Sequence, residues 1–273
     1  MLASAQGYYE EVVGTFPFGM PLRRTPPQRP SGPTRAFIVG VYPSAIHATW
    51  FGPEDRVVCR AMAVGTEPHS FWSGGDAGAR LRAIQERVPE RLGRLELPRG
   101  DYNGCSGRTL NSDYLVPLQL KREECWVTDL HDTYFVSVGN ARAIASQYTR
   151  RAAQVEGIPP VRFPERPRLN KPTEVRLRAL KDEFMQAAPE WVITLGSDPI
   201  GPVFGGHIGP LVPQRYGKPF EAEVFGRRVK ALCLCHPRQA ARLGLSSRRW
   251  FDAHALWRKE VETQGGLAKL CPY

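Results

Sequence analysis

Apolar positions along the chain fall into short runs separated by turn residues, and between several of these runs the apolar spacing becomes helical. Residues 36–41 (AFIVGV) form a β-branched, continuously apolar stretch that stops at Tyr42-Pro43-Ser44-Ala45. This predicts a strand, a tight turn and then a helix with Ser44 at its N-cap. A second strand is expected over 57–63, and apolar residues at helical spacing predict a helix over 76–91. The segment 98–106, which holds Asp101 and Cys105, reads as a loop. A third strand is expected over 125–130 (CWVTDL) and a basic helix over 141–154. Residues 157–172 are rich in proline and carry Arg162, Arg166 and Arg168, which predicts an extended connector able to track phosphates. Thr173 stands at the start of an amphipathic helix to Ala187, followed by a strand over 191–195 and the turn Gly196-Ser197-Asp198. Residues 220–225 and 229–235 read as a hairpin around Gly226-Arg227, its second strand running straight into His236-Pro237. A helix from 246 to about 265 closes the pattern.

Strands alternating with helices predict an α/β fold, a three-layer α/β/α arrangement whose central, mostly parallel sheet is covered on both faces. Ligands of such sheets bind beyond the carboxyl ends of the strands. Here those ends carry Tyr42-Pro43-Ser44, Asp129-Leu130-His131, Gly196-Ser197 and His236-Pro237. Residues 1–34 are set apart as a Pro/Arg-rich N-terminal arm, since 19–35 (GMPLRRTPPQRPSGPTR) has no periodicity, and 35–273 form the domain proper.

Composition narrows the picture. Hydrophobic residues make up 42% of the 273, enough for a sizeable core and against wholesale disorder. The formal net charge is +10, which suits a polyanionic partner such as nucleic acid. No run approaches the roughly 18 apolar residues of a membrane span, so no membrane partner is expected. No basic start followed by an apolar stretch marks a secretory signal. The cysteines Cys59, Cys105, Cys125, Cys233, Cys235 and Cys271 contain no C-x₂-C pair, which argues against a zinc knuckle. They read as thiols of a reduced, cytoplasmic protein.

Taken in order, the strand ends resemble the uracil-DNA glycosylase superfamily. Its first motif, G-x-[D/N/A]-P-[Y/G], is matched by Gly40-Val41-Tyr42-Pro43-Ser44. Its second, a strand ending in Asn, is matched by Val127-Thr128-Asp129. An I-x-x-L-G strand is matched by Val192-Ile193-Thr194-Leu195-Gly196, and the final apolar strand ending in His-Pro by Leu234-Cys235-His236-Pro237. The resemblance spans about 35–262. It implies an enzyme that flips a nucleotide out of DNA, stacks its base on an aromatic ring and hydrolyses the N-glycosidic bond, with no cofactor and no obligate protein partner. By this resemblance His236 stabilises the departing base, and Tyr42 and Pro43 pack against the base and sugar. The loop after His236 acts as a wedge, for which Arg238, Gln239 and Leu243 are candidates. Arg242, Arg150 and Arg151 would contact DNA with them.

The departures from the pattern redirect the chemistry. Tyr42 occupies the position where one branch keeps a water-activating Asp, and Val41 that where the iron–sulfur branch keeps Glu. The cluster cysteines of that branch are absent, so no iron–sulfur centre is expected. Glu67 is the first candidate for ordering water, with His47 and Asp129 behind it. Asp129 in place of Asn suits the N4 amino group of cytosine, and a protonated Asp129 would also satisfy cytosine N3. Ser44 stands where the uracil-specific branch keeps a Tyr, which leaves room for a C5 substituent. Together they point to a cytosine-type base substituted at C5, such as the hypermodified cytosines of some phage genomes, in the manner of an anti-phage defence enzyme, over plain uracil. Phe71 and Trp72 are candidates for the stacking platform. Two other readings fit the same residues. One is a catalytically silent, glycosylase-shaped DNA-binding module. The other is a metal-dependent phosphoesterase built on Asp129, His131 and Asp132 with His47 and His236.

Overall fold

The computed structural model describes residues 5–100, 102–241 and 247–270, so that Asp101, Arg242, Leu243 and Cys271 lie outside the described residues. The first strands, β1 (Val12–Thr15) and β2 (Pro21–Arg23), form a small antiparallel hairpin. Next come β3 (Ala36–Gly40), β4 (Ala45–Phe51), β5 (Val57–Thr66), β6 (Arg94–Glu96), β7 (Cys125–Asp129), β8 (Trp191–Leu195), β9 (Phe220–Val224) and β10 (Arg227–Leu234). Five of them make the central sheet in the order β7-β3-β8-β10-β9. The first four are mutually parallel, and only β9 runs antiparallel, as the edge partner of β10.

β3, β7 and β8 are buried at every position, which is why their sequences are largely apolar and do not alternate. Helices flank this sheet. Thr173 starts the helix Glu174–Ala187 by accepting the Arg176 backbone N–H at its hydroxyl. The helix then buries Arg176, Leu180, Phe184 and Ala187, spaced three to four residues apart on one face. Phe184 meets Phe37 of β3 edge-on, with ring centres 5.6 Å apart. Tyr114, from the helical run 105–118, reaches the end of β10 and gives its hydroxyl proton to the Cys235 carbonyl at 2.9 Å. The helix Ser247–Gln264 adds Trp257 and Val261 to the same core.

The chain after Ser44 departs from the expected helix. Residues 45–51 (AIHATWF) form β4, which pairs antiparallel with β5 and β6 in a separate three-stranded sheet. The β-branched and aromatic side chains of Ile46, Thr49, Trp50 and Phe51 favour the pleated form. A tight connection closed by Gly52 N–H to Arg56 O, 2.9 Å long, brings β5 back alongside. Ser44 therefore caps nothing, and the strand expected over 57–63 belongs to this sheet and not to the parallel one.

The arm is packed onto the body. Gln28 forms an antiparallel bridge with Val127 of the edge strand β7, and the Thr25 N–H bonds the Asp132 carbonyl at 2.6 Å. Behind β7 the arm completes a buried ion cluster. Arg176 donates to Glu183 Oε1 at 2.6 Å, to Thr128 Oγ1 at 2.9 Å and to the Asp129 carbonyl at 2.6 Å. Tyr9 and Tyr8 donate to Glu183 and Asp132, each at 2.5 Å, and Arg24 pairs with Asp132 at 3.2 Å. Among the described residues no helix is long and apolar enough to cross a membrane. Replacing Arg176 with Ala strands two buried carboxylates, and the expected loss is about 3–5 kcal/mol of unfolding free energy in urea titration. A loss under about 1 kcal/mol would mean that the cluster is solvated.

Candidate functional site

The carboxyl ends of β7, β3, β8 and β10 open onto one cleft of about 730 Å³, within the range of about 300–1,000 Å³ usual for small-molecule sites. The turn Tyr42-Pro43-Ser44 follows β3, Asp129 ends β7, Asp198 follows β8 and His236 follows β10. The antiparallel sheet supplies the opposite wall with His47 from β4, Glu67 just after β5, and then Phe71 and Trp72.

Asp129 is 1% exposed, and neither carboxyl oxygen has a hydrogen-bond partner. Burial pushes its pKa up to about 7, against the pull of the nearby Ser70 side chain and the Arg176 guanidinium. Ser70 thus acts on the carboxyl through space without the geometry of a hydrogen bond. Gly40 lies beside Asp129 in register, and a Cβ at Gly40 would collide with both the carboxyl and the Phe71 ring. Glycine there lets the acid and the aromatic ring approach each other across the strand end. Glu67 is also buried, and its pKa stands well above the usual range because of burial and the neighbouring Asp129 charge, with the Ser44 backbone N–H opposing them.

His236 is fixed by its own turn. Its Nδ1 accepts the Arg238 backbone N–H at 3.2 Å, while its backbone N–H goes to Gln239 Oε1 at 3.1 Å. Because Nδ1 is the acceptor, the proton of the neutral ring sits on Nε2. The residue keeps partial exposure, yet its ring is enclosed enough that burial, aided by the Arg238 charge, pushes the pKa down to about 4. Cys235 before it is clamped by two phenols, Tyr114 on its carbonyl and Tyr216 on its N–H at 3.4 Å.

The aromatic candidates divide. The Phe71 ring lies 5.8 Å from that of His236, and Phe71 takes a left-handed backbone with φ 53°. Arg122 holds this turn by donating to the Phe71 carbonyl at 2.9 Å. Trp72 also lines the cleft, but it is buried in the core of the antiparallel sheet and its indole N–H is committed to Asp76 at 2.7 Å.

His47 is buried on β4 and not one turn into a helix, as the sequence pattern suggests. Of the basic candidates, Arg238 is exposed at the cleft, whereas Gln239 beside it is occupied in holding His236. Arg150 is exposed and Arg151 lies over the Trp50 ring at 5.8 Å, and neither lines the cleft. His131 and Asp132 do not join Asp129. His131 bonds the Leu169 carbonyl at 2.9 Å and Asp132 is spent in the ion cluster. Among the described residues no group of three or more His, Cys, Asp or Glu side chains is placed to hold a metal ion. The phosphoesterase reading thereby loses its ligand set.

Several lining residues are new relative to the sequence reading. Tyr134 and Phe135 follow Asp129 closely, an aromatic doublet that could have signalled them. Phe135 meets the Tyr42 ring at 5.6 Å, and Arg166 lies over the same ring at 5.3 Å. Asn103, behind the wall, has no signal in the sequence at all. No protein-family model matches the chain, and neither does any curated protein.

The state of Asp129 has a measurable signature. Between about pH 4 and 7 the folded protein keeps a proton on this carboxyl that the unfolded chain releases, so stability falls as pH rises through that window. Asp129→Asn is expected to stabilise the protein by about 2–4 kcal/mol at pH 8, with the gain vanishing towards pH 4. Urea titrations of both proteins across this range check it, and a pH-independent difference would show a solvated carboxyl.

Proposed function

We propose that this protein is a DNA glycosylase that extrudes a pyrimidine nucleotide and hydrolyses its N-glycosidic bond, with a C5-substituted, cytosine-type base as substrate. The observation that carries the reading is Asp129, a buried carboxyl with both oxygens unpartnered, in one cleft with the imidazole of His236. A buried polar group left unsatisfied costs about 1–3 kcal/mol, which a ligand bearing matching groups recovers. As a neutral acid, Asp129 donates to cytosine N3 and accepts from the N4 amino group.

The same acid with its proton on the other oxygen would fit the uracil edge, so hydrogen bonding alone does not select cytosine. Leaving-group chemistry does. The uracil anion spreads its charge over two carbonyls, whereas cytosine leaves well only if it gains a proton. An acid at N3 can supply that proton and an amide cannot. As the C1′–N1 bond breaks, its electron pair moves into the base, Asp129 gives its proton to N3, and His236 Nε2–H donates to O2. Water then adds to C1′, and its surplus proton, directly or through solvent, restores the one that Asp129 has given up.

The surroundings fit this substrate. Phe71, the candidate stacking partner for a base, lines the cleft with its ring 5.8 Å from that of His236, and the exposed Ser44 sets no wall against a C5 substituent. Arg99, Arg166 and Arg238 stand exposed along the cleft, where flanking phosphates would lie.

The test is incubation with oligonucleotides containing uracil, cytosine, 5-hydroxymethylcytosine or glucosylated 5-hydroxymethylcytosine, followed by alkaline cleavage at abasic sites. Excision of C5-substituted cytosines is expected, falling as pH rises above about 7, where Asp129 loses its proton. Asp129→Asn should lose about 10²–10⁴-fold on those bases. Binding without cleavage on every base would instead identify a silent DNA-binding module.

A further inference from the structure

His47 carries a set of constraints that its place in the core does not require. It sits where the pairing of β4 with β5 shifts register, between Ile46 and His47. Such a bulge re-aims a side chain, and bulges concentrate beside active sites. At this break the Asn103 side chain holds the His47 backbone, with Asn103 Oδ1 accepting the His47 N–H at 2.8 Å and Asn103 Nδ2 donating to the His47 carbonyl at 2.9 Å, while across from it Asn140 Oδ1 accepts the Ala63 N–H at 3.1 Å. Asn103 is itself buried. The Tyr102 ring packs 4.9 Å from the imidazole. A buried amide is thus devoted to holding one histidine at a break in a sheet, on the wall of the cleft.

The ring is fixed as firmly as the backbone. Nδ1 lies 2.8 Å from the Ala45 carbonyl, which only accepts, so Nδ1 carries the proton and Nε2 keeps a lone pair. His236 has the opposite tautomer, with Nδ1 accepting and Nε2–H free to donate. One cleft therefore holds two neutral imidazoles set by the backbone in complementary states, one an acceptor and the other a donor.

We propose that His47, and not Glu67, is the residue that takes the proton of the attacking water, paired with His236 as donor to the leaving base. This rests on the glycosylase reading. The C1′–N1 bond breaks with its electron pair going to the base. The water oxygen then bonds C1′, and one water proton passes to His47 Nε2 and on to solvent, from which Asp129 regains the proton it gave to the base. Glu67 is less suited because its burial beside Asp129 disfavours the ionised form that would have to accept the proton. Burial, with the Arg238 charge nearby, keeps His47 neutral down to about pH 4. Such a weak base suffices for water adding to an oxocarbenium ion, since that water becomes strongly acidic as the new bond forms.

Two measurements on the full chain test this. Long-range ¹H–¹⁵N spectra of histidine-labelled wild-type protein should show His47 protonated at Nδ1 and His236 at Nε2. An Nε2-protonated His47 would overturn the proposal, and this reading needs no variant to fold. Single-turnover excision from a 5-hydroxymethylcytosine oligonucleotide should fall about 10²–10⁴-fold in His47→Gln. Binding of the same oligonucleotide, read by fluorescence anisotropy, should stay within about threefold, as expected when a proton acceptor and not a docking contact is removed. Excision by His47→Gln at the wild-type rate overturns the role of His47 and leaves the glycosylase reading standing. A wild-type protein that excises no base overturns both.

Discussion

The arrangement of the site depends on one buried cation. Arg176 crosses from its helix to the end of β7 and holds the Thr128 hydroxyl and the Asp129 carbonyl, while Glu183 and Asp132 balance its charge. A guanidinium suits this task because its planar fork serves several acceptors at once and stays charged when buried. The backbone of Asp129 is thereby pinned from behind, and its side chain is left facing the cleft with nothing to bond. The pairing is expensive to desolvate, and its return is placement more than stability. Without it the strand end would be free to rotate its carboxyl towards a partner within the protein.

The cleft itself follows from desolvation acting in two directions. Burial raises the pKa values of Asp129 and Glu67 and lowers those of His47 and His236. Acids and bases that would carry charge in water are all driven towards their neutral forms. A cleft of neutral donors and acceptors can take in an uncharged ligand without stripping water from ions. In the reaction proposed above, the charge that develops would meet groups already oriented, so little reorganisation would be needed. The cationic residues Arg99, Arg166 and Arg238 stay exposed, where they remain solvated.

Most of the parallel sheet was legible in the sequence because its strands are buried on both faces. Residues 125–129 and 191–195 have no polar alternation to blur their limits, and Thr173 marks its helix by the chemistry of its hydroxyl. The antiparallel sheet was not. β4 is almost wholly buried, so neither period shows in its sequence, and a serine after a proline reads equally well as a helix start. For the site, the residues at strand ends were within reach, since topology alone sends 42–44, 129 and 236 to one edge. Asn103 was out of reach because it lies in irregular chain, where position depends on tertiary contacts and not on local spacing, whereas Phe135 was hinted at only by its aromatic doublet with Tyr134. Even at Gln239 the sequence suggested a wedge, whereas the side chain turns back to cap its own helix.

The tyrosine contacts of the arm set the order in which this protein can be completed. Tyr8 and Tyr9 precede their partners Asp132 and Glu183 by 124 and 174 residues. Until the helix carrying Glu183 has been synthesised, the docking site of this segment is incomplete. Such long-range closure slows folding, because loop entropy is lost before the contact is gained. The segment carrying Tyr8 and Tyr9 is therefore among the last to find its place, and the wall behind Asp129 is sealed only then.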